Sequence, residues 1–381
     1  MLIRKAVYSR KLIIILLVTA AVFFSSCAAG RGELPQTVWE ATVTGIDKYG
    51  FATIDLTGED LFSAGFEHGD MLAFKAGNAG FEAPFVTNLS DVDIGRELLG
   101  DPGAPNHLVL AINMGDFAEA YNISEGLPVA ISLHEKAGYL DAYNLRQMTR
   151  TYDRADYASD EIFANFRMVT AGGIAPGVLY RSSSPVNNAF GRAAYANALA
   201  EQAGIVTIIN LADSRMDLVR YLDAEGFSSH FYEDLFVEGR VLYLDMGIDI
   251  TSDDFGYALR DALMFLAEKD APFLIHCNEG KDRAGFTIAL IEALMGADID
   301  EIAAGYMLSF VNYYHVVPGS EQYNAVAEGT IMKTLRMIVG LDPEADLTGI
   351  DLQAAAEGYV AALGLDADYI SAIKSNLSAE I

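Results

Sequence analysis

Cys277 is followed by Asn278, Glu279, Gly280, Lys281 and Asp282, and then by Arg283. A thiolate is a strong nucleophile, and a guanidinium a few residues along presents a planar fork that matches two oxygens of a phosphate. The chemistry this pair suits is displacement at phosphorus. For that, the residues between them must sit where backbone N–H groups converge. Phe273-Leu274-Ile275 is a short, fully apolar run that reads as a buried strand, and the residues after Arg283 read as helix. A loop passing from a strand into a helix N-terminus points several amides at one spot, and in an open α/β sheet ligands collect at that strand end. Gly280 lets the backbone turn closely around an anion. The same positive surroundings favour the thiolate form of Cys277.

The elements that must hold this loop alternate. Ala193 to Gly204 reads as a helix with a glycine stop, Ile205 to Leu211 as a buried strand, and Asp213 to Gly226 as a helix with Asp213 as its N-cap. Val241 to Met246 is a strand candidate. Ser252 can cap a helix in which Phe255, Leu259, Ala262, Leu263 and Leu266 share one face. From Arg283 onward only helices are expected. This predicts an α/β fold with a central, largely parallel sheet flanked by helices over residues 160–381. Before it, residues 37–150 carry short β-leaning runs, Glu40 to Ile46, Phe51 to Leu56 and His107 to Ile112, which suit a small β-rich N-terminal domain of unassigned role. Asp101 to Asn106 reads as a loop, and Asp60 to Ser63, between Gly58 and Gly65, has little room to extend as helix. The polar stretch from Arg150 to Asp160 reads as the boundary or a surface crossing.

With 381 residues, 52% of them hydrophobic, the chain is not a disordered protein. Its net charge of −28 makes nucleic acid an improbable partner and means that a phosphate site must supply its own positive potential. There are two cysteines. Arg4, Lys5, Arg10 and Lys11 precede an apolar run from Leu12 to Phe24 that ends in Ser25-Ser26-Cys27. That is the pattern of a secretory signal peptide over residues 1–27, and its apolar run is too short for a spanning helix. It is similar to a bacterial lipoprotein signal. The similarity implies lipidation of Cys27, a tether over residues 28–36, and an exported lipoprotein held at the bacterial cell membrane, facing away from the cytoplasm. Cys277 is then left without a disulfide partner.

The motif His276-Cys277, five residues, Arg283 resembles the signature of the protein tyrosine phosphatase superfamily. Gly280-Lys281-Asp282-Arg283, together with Asn165-Phe166-Arg167 and Tyr180-Arg181-Ser182 upstream, is similar to the bacterial tyrosine phosphatase family that includes secreted mycobacterial and lipid-active listerial members. The resemblance covers about residues 160 to 375. It implies a cysteinyl-phosphate on Cys277, hydrolysed by water, with no metal or cofactor required. Asn278, Glu279, Gly280, Lys281, Ala284 and Gly285 would form the phosphate-binding loop with Arg283. Arg181 would support it, and His276 would tune the thiolate from behind unless it is simply a satisfied core histidine. Resemblance favours Asp282 as general acid; other branches of the superfamily place it on an earlier mobile loop, where this chain has Asp249. Asp213 is a third carboxylate.

Two positions depart from the family pattern. Ala284 stands where a hydroxyl residue is usual, which implies slower breakdown of the cysteinyl-phosphate. Glu279 puts a negative charge in the loop and is expected to point outward and pair with a cation. Lys281 either reaches toward a second phosphate or is simply solvated, and Tyr306, Phe310, Tyr313, Tyr314 and His315 read as core more readily than as a pocket wall. The expected substrates are phosphorylated proteins, with phosphotyrosine first. A phospholipid or inositol phosphate is the alternative, and a catalytically weak phosphate-binding interaction protein is the reading from another class.

Overall fold

The computed structural model describes residues 38–226 and 229–379. The signal, Cys27 and the tether fall outside them. No helix among the described residues is long and apolar enough to cross a membrane.

Alternating apolar residues build the first unit. In β1 (Trp39–Ile46) Ala41 and Val43 are buried, in β2 (Ala52–Thr57) Ala52 and Ile54, and in β3 (Met71–Ala76) Leu72, Phe74 and Ala76. With β4 (Ala79–Val86), β5 (Glu97–Gly100), β6 (His107–Ile112) and β7 (Pro128–Glu135) they close a barrel in the order β1-β2-β6-β5-β4-β3-β7, where β7 pairs back onto β1. A period of two puts one face of every strand inward, and Phe74, Phe85, Phe117 and their aliphatic neighbours fill the interior. Asp60 to Ser63 lies in one short helix, α1 (Gly58–Ser63), because Thr57 and Asp60 close a capping box ahead of it. A second short helix is α2 (Phe117–Tyr121).

The chain leaves the barrel through α3 (Leu140–Arg146), which is fastened to it. The Tyr139 hydroxyl donates to Asp91 O at 3.1 Å, Gln147 Nε2 to Asp91 Oδ1 at 2.8 Å, and Arg146 pairs with Asp93 at 2.5 Å. Leu145 and Met148 turn the other way, into the core of the second unit.

That unit is a five-stranded sheet in the order β11-β10-β12-β9-β8. Its strands are β8 (Arg167–Val169), β9 (Leu179–Ser182), β10 (Thr207–Asn210), β11 (Val241–Tyr243) and β12 (Phe273–His276). The β9–β12, β12–β10 and β10–β11 pairs are parallel, and β8 runs antiparallel to β9. Register puts Ser182, His276 and Asn210 side by side, so the residues that follow them emerge at one edge.

Among the strands run α4 (Asp160–Phe163), α5 (Ala193–Gln202), α6 (Arg215–Leu222), α7 (His230–Val237) and α8 (Asp253–Glu268). The last buries the five-residue face read from the sequence. After β12 come α9 (Asp282–Leu294), α10 (Ile299–Tyr314), α11 (Glu321–Ala327), α12 (Lys333–Val339), α13 (Leu352–Ala362) and α14 (Ala367–Ser378). Every residue of α9 from Ala284 to Leu294 is buried, as expected of a helix apolar on all sides. The site is therefore carried by a central strand and the most enclosed helix.

Candidate active site

Cys277 leaves the end of β12 with 3% of its surface exposed and its thiol free. Residues 278–281 form a loop, and α9 starts at Asp282. The loop's carbonyls are taken one after another. Asn278 O accepts from the Ser184 amide at 3.2 Å, and Glu279 O from Asn165 Nδ2 at 3.1 Å and the Tyr313 hydroxyl at 2.9 Å. Gly280 O accepts from Arg181 Nη2 at 2.7 Å, and Lys281 O from the same nitrogen at 3.3 Å. In a trans peptide the C=O and the next N–H point in opposite directions. Fixing four successive carbonyls toward the scaffold therefore turns the amides of Glu279, Gly280, Lys281 and Asp282 to the opposite side. Those of Glu279, Gly280 and Lys281 meet no acceptor among the described residues. This is a nest of amides at a helix N-terminus, an arrangement that can hold an anion.

Gly280 is required here. It adopts φ +67°, and a Cβ on it would lie 2.3 Å from Ser182 O. Gly285 allows a different approach: a Cβ there would meet the Tyr306 ring at 2.5 Å. Ala284 is buried beside it in the first turn of α9, and the nearby hydroxyl of Thr287 is occupied by Arg283 O at 3.0 Å.

Arg283 uses one nitrogen on the protein, Nη1 to Met246 O at 2.9 Å. Met246 is brought there because the chain after β11 runs along the chain after β10, with Met246 N on Leu211 O and Asp245 N on Asp213 O. Nη2 and Nε of Arg283 have no acceptor among the described residues, which leaves the fork available to an anion.

Arg181 and His276 support the loop from below. Arg181 is 1% exposed, and burial lowers its pKa, opposed mainly by Glu292. His276 is fully buried, which depresses its pKa to about 3 and keeps it neutral. Its Nδ1 lies 3.4 Å from Cys277 O, so the proton is assigned to Nδ1, and the ring meets Tyr232 edge-on. On the carbonyl side of the loop lies a cavity of about 280 Å³ lined by Arg167, Arg181, Glu292, Glu301 and Gly305.

The three carboxylates differ. Asp282 is 64% exposed and paired with Lys281 at 2.6 Å. Asp249 is exposed and held by the amide and hydroxyl of Thr251, whose hydrogen bonds lower its pKa. Asp213 is not the helix N-cap: Ser214 caps α6, with Asp217 completing a capping box. Asp213 is instead buried, accepts from Asn210 Nδ2 at 3.0 Å, and has its pKa raised by desolvation while Arg283 pulls the other way.

Lys281 is not a solvated loop lysine either. Its side chain is 13% exposed and its ammonium lies over the Phe310 ring at 5.1 Å; burial opposes its charge, but Asp282, Tyr314 and Tyr306 together outweigh that and the pKa stands raised. Glu279 pairs with cations as expected but does not point into solvent. It is 12% exposed, against Arg150 at 2.6 Å and Arg192 at 3.3 Å. Tyr306, Phe310 and Tyr313 are core, and Tyr313 also holds the loop, while His315 is exposed in a left-handed helix stop. The stretch from Arg150 to Asp160 is more than a surface crossing, since Arg150 enters the site and Tyr157 is buried. Arg150, Arg192, Ser184 and the Met246 carbonyl carry no local signal in the sequence, because their partners are distant along the chain.

Residues 227–379 match the tyrosine phosphatase family. The match supports a phosphatase, and the motif loop lies inside it. No curated protein matches the chain. Among solved structures, it is similar to an uncharacterized conserved protein from Thermotoga maritima (22% identity over 25% of this chain and 35% of that one, TM-score 0.24). A conserved hypothetical protein from Thermus thermophilus is similar too (24% identity, 24% and 34%, TM-score 0.20). The chain spans about a third of the length of each. It is also similar to the core catalytic domain of the PP-IP phosphatase SIW14 from S. cerevisiae, in complex with citrate (22% identity, 46% and 91%, TM-score 0.27).

Proposed function

We propose that this protein hydrolyses phosphomonoesters through a cysteinyl-phosphate on Cys277, with phosphotyrosine in proteins as the leading substrate class. The observation that carries the reading is the clamping of four consecutive loop carbonyls onto the scaffold, which aims the amides of residues 279–282 at the other side of the loop, beside the open fork of Arg283. Preorganised donors of this kind stabilise the equatorial oxygens of a transferring phosphoryl group. In the first step Cys277 Sγ bonds to phosphorus and the ester P–O bond breaks, with a carboxyl group giving its proton to the departing oxygen. In the second, water attacks phosphorus, the P–S bond breaks, and the same carboxylate takes the water's proton. Asp282 is proposed as that acid.

A substrate with a single phosphate is supported by Lys281, whose ammonium is engaged with Asp282 and Phe310 rather than free for a second phosphate. Inositol phosphates or phosphoinositides remain the alternative substrate class. The lipid tether at Cys27 and a location outside the cytoplasm belong to the proposal as well.

The test is hydrolysis of a chromogenic aryl phosphate by the protein and by Cys277→Ser, without added metal, followed in the pre-steady state. Turnover confined to the wild type is expected, as a burst followed by a slower steady rate in keeping with Ala284. Equal rates for the two proteins would remove the cysteine mechanism, and a single fast phase would remove the role given to Ala284. A panel of phosphopeptides and phosphoinositides then separates the substrate classes.

A further inference from the structure

An acidic side chain in a loop proposed to bind anions needs compensation, and here its shorter ion pair comes from the segment that joins the barrel to the sheet unit. Arg150 Nε lies 2.6 Å from Glu279 Oε1, and its Nη2 donates to Oε2 at 2.7 Å. Its third nitrogen, Nη1, donates to the Tyr314 hydroxyl at 2.7 Å, and the guanidinium lies within 5.6 Å of the Tyr152 and Tyr314 ring centres. Arg192 supplies a second, longer contact to the same Oε1 at 3.3 Å, from a cage of aromatic rings in which Tyr313 is nearest at 4.3 Å. Two cations thus face one anion, and all three side chains are at least four-fifths buried. Charges this desolvated act on one another, and on a bound oxyanion, far more strongly than surface charges do.

We propose that Arg150 is a positioning residue for the phosphate-binding loop. It cancels the Glu279 charge and fixes that side chain, while Asn165 and Tyr313 fix the same residue's carbonyl. Glu279 is thereby clamped at both ends, and the amide that follows its carbonyl is held in place. Arg150 follows α3, whose Arg146 and neighbouring Gln147 are fastened to Asp93 and Asp91 of the barrel. The barrel is therefore mechanically part of the catalytic unit, joined to the loop through one guanidinium. The inference rests on the phosphatase reading.

The experiment uses the full chain and measures tungstate, a phosphate-shaped oxyanion, by titration calorimetry alongside kcat and KM for an aryl phosphate. Removing Arg150 leaves one cation against one anion, whereas removing Glu279 as well restores the wild-type excess of one positive charge. Arg150→Met should weaken tungstate binding and raise KM by about tenfold or more, the scale measured for close charge pairs. Arg150→Lys should fall between Arg150→Met and wild type. The double variant Arg150→Met with Glu279→Gln should return to within about threefold of wild type, which simple loss of packing against Tyr314 would not allow.

Wild-type hydrolysis with unchanged tungstate binding by Arg150→Met, or a loss that the double variant does not restore, overturns the inference alone. A wild type that neither hydrolyses nor binds tungstate overturns the phosphatase reading and this inference with it. Should Arg150→Met not fold, Arg150→Lys decides: several-fold weaker binding at an unchanged melting temperature supports the proposal, and equal binding overturns it.

Discussion

Three aspartates compete to give the proton that completes ester cleavage, and their surroundings divide the requirements among them. Asp282 is adjacent to Arg283 in sequence and open to solvent, but it is engaged with Lys281. Asp249 is held in its ionised form by Thr251. Asp213 is buried with a raised pKa, which suits a carboxyl that must hold a proton. General acids contribute roughly 10²- to 10⁴-fold to rate, most of all when the leaving group is a poor one. Asp282→Asn should therefore lower kcat/KM, which reports the ester-cleaving step, by about two orders of magnitude for an alkyl phosphate and much less for a nitrophenyl phosphate. Asp213→Asn and Asp249→Asn should show no such dependence on the leaving group. If the dependence appears in Asp213→Asn instead, the role passes to the buried aspartate. At this scale the proposed nucleophile and its arginine are picked out by spacing alone. The state of Asp213 is not, because a residue after a strand looks like a helix cap until its neighbour Ser214 is seen to take that place.

At the scale of elements, the strand, loop and helix around Cys277 can be read because apolar character is continuous before the loop and periodic after it, and Gly280 marks the turn. The short strands β8, at the sheet edge, and β9 beside it are not legible. At three and four residues they are shorter than any periodic pattern, and only motif fragments mark them. Yet the loop takes its shape from them and their flanks, since Asn165, Arg181 and Ser184 each hold a carbonyl. The expected span of α6 is too long for a similar reason, with the true start set by a capping box two residues inside it. Gly280→Ala tests the tightness of this arrangement. An alanine would have to hold a left-handed backbone at a cost of about 1–2 kcal/mol, and its methyl would lie against Ser182 O. Unfolding in urea should show a loss of about 2 kcal/mol or more, with kcat/KM falling at least tenfold. A loss below about 0.5 kcal/mol would mean that the loop can move off β9.

Across the whole molecule, two buried groups pull stability in opposite directions as pH changes. Neutral His276, with its pKa near 3, stays unprotonated while the unfolded chain takes up a proton near pH 6.5, so its contribution falls as pH drops through that window. Glu292, with its pKa raised by burial to about 7, keeps its proton in the fold while the unfolded chain loses it near pH 4.5. Its contribution is therefore complete below pH 4.5 and disappears as pH rises through 7. Arg181 and Arg167 face it from the sheet and Glu301 from α10. Glu292→Gln lacks that second term. Relative to wild type, its stability should rise by about 3 kcal/mol between pH 4.5 and 8, read as melting temperature against pH. Parallel curves would show that Glu292 does not titrate in this range. The barrel illustrates the limit of sequence reading at this scale: alternation announces strands, but closure of β7 onto β1 depends on pairings some 90 residues apart.

The four clamped carbonyls have one more consequence, and it concerns dynamics. Between them they are held by four parts of the fold: the turn before β8, the end of β9, the chain that follows it, and α10. Peeling the loop open would part all of these at once, so its local opening free energy approaches that of global unfolding. The ordering cost of the site is met when the chain folds, and an arriving oxyanion meets donors that are already immobile.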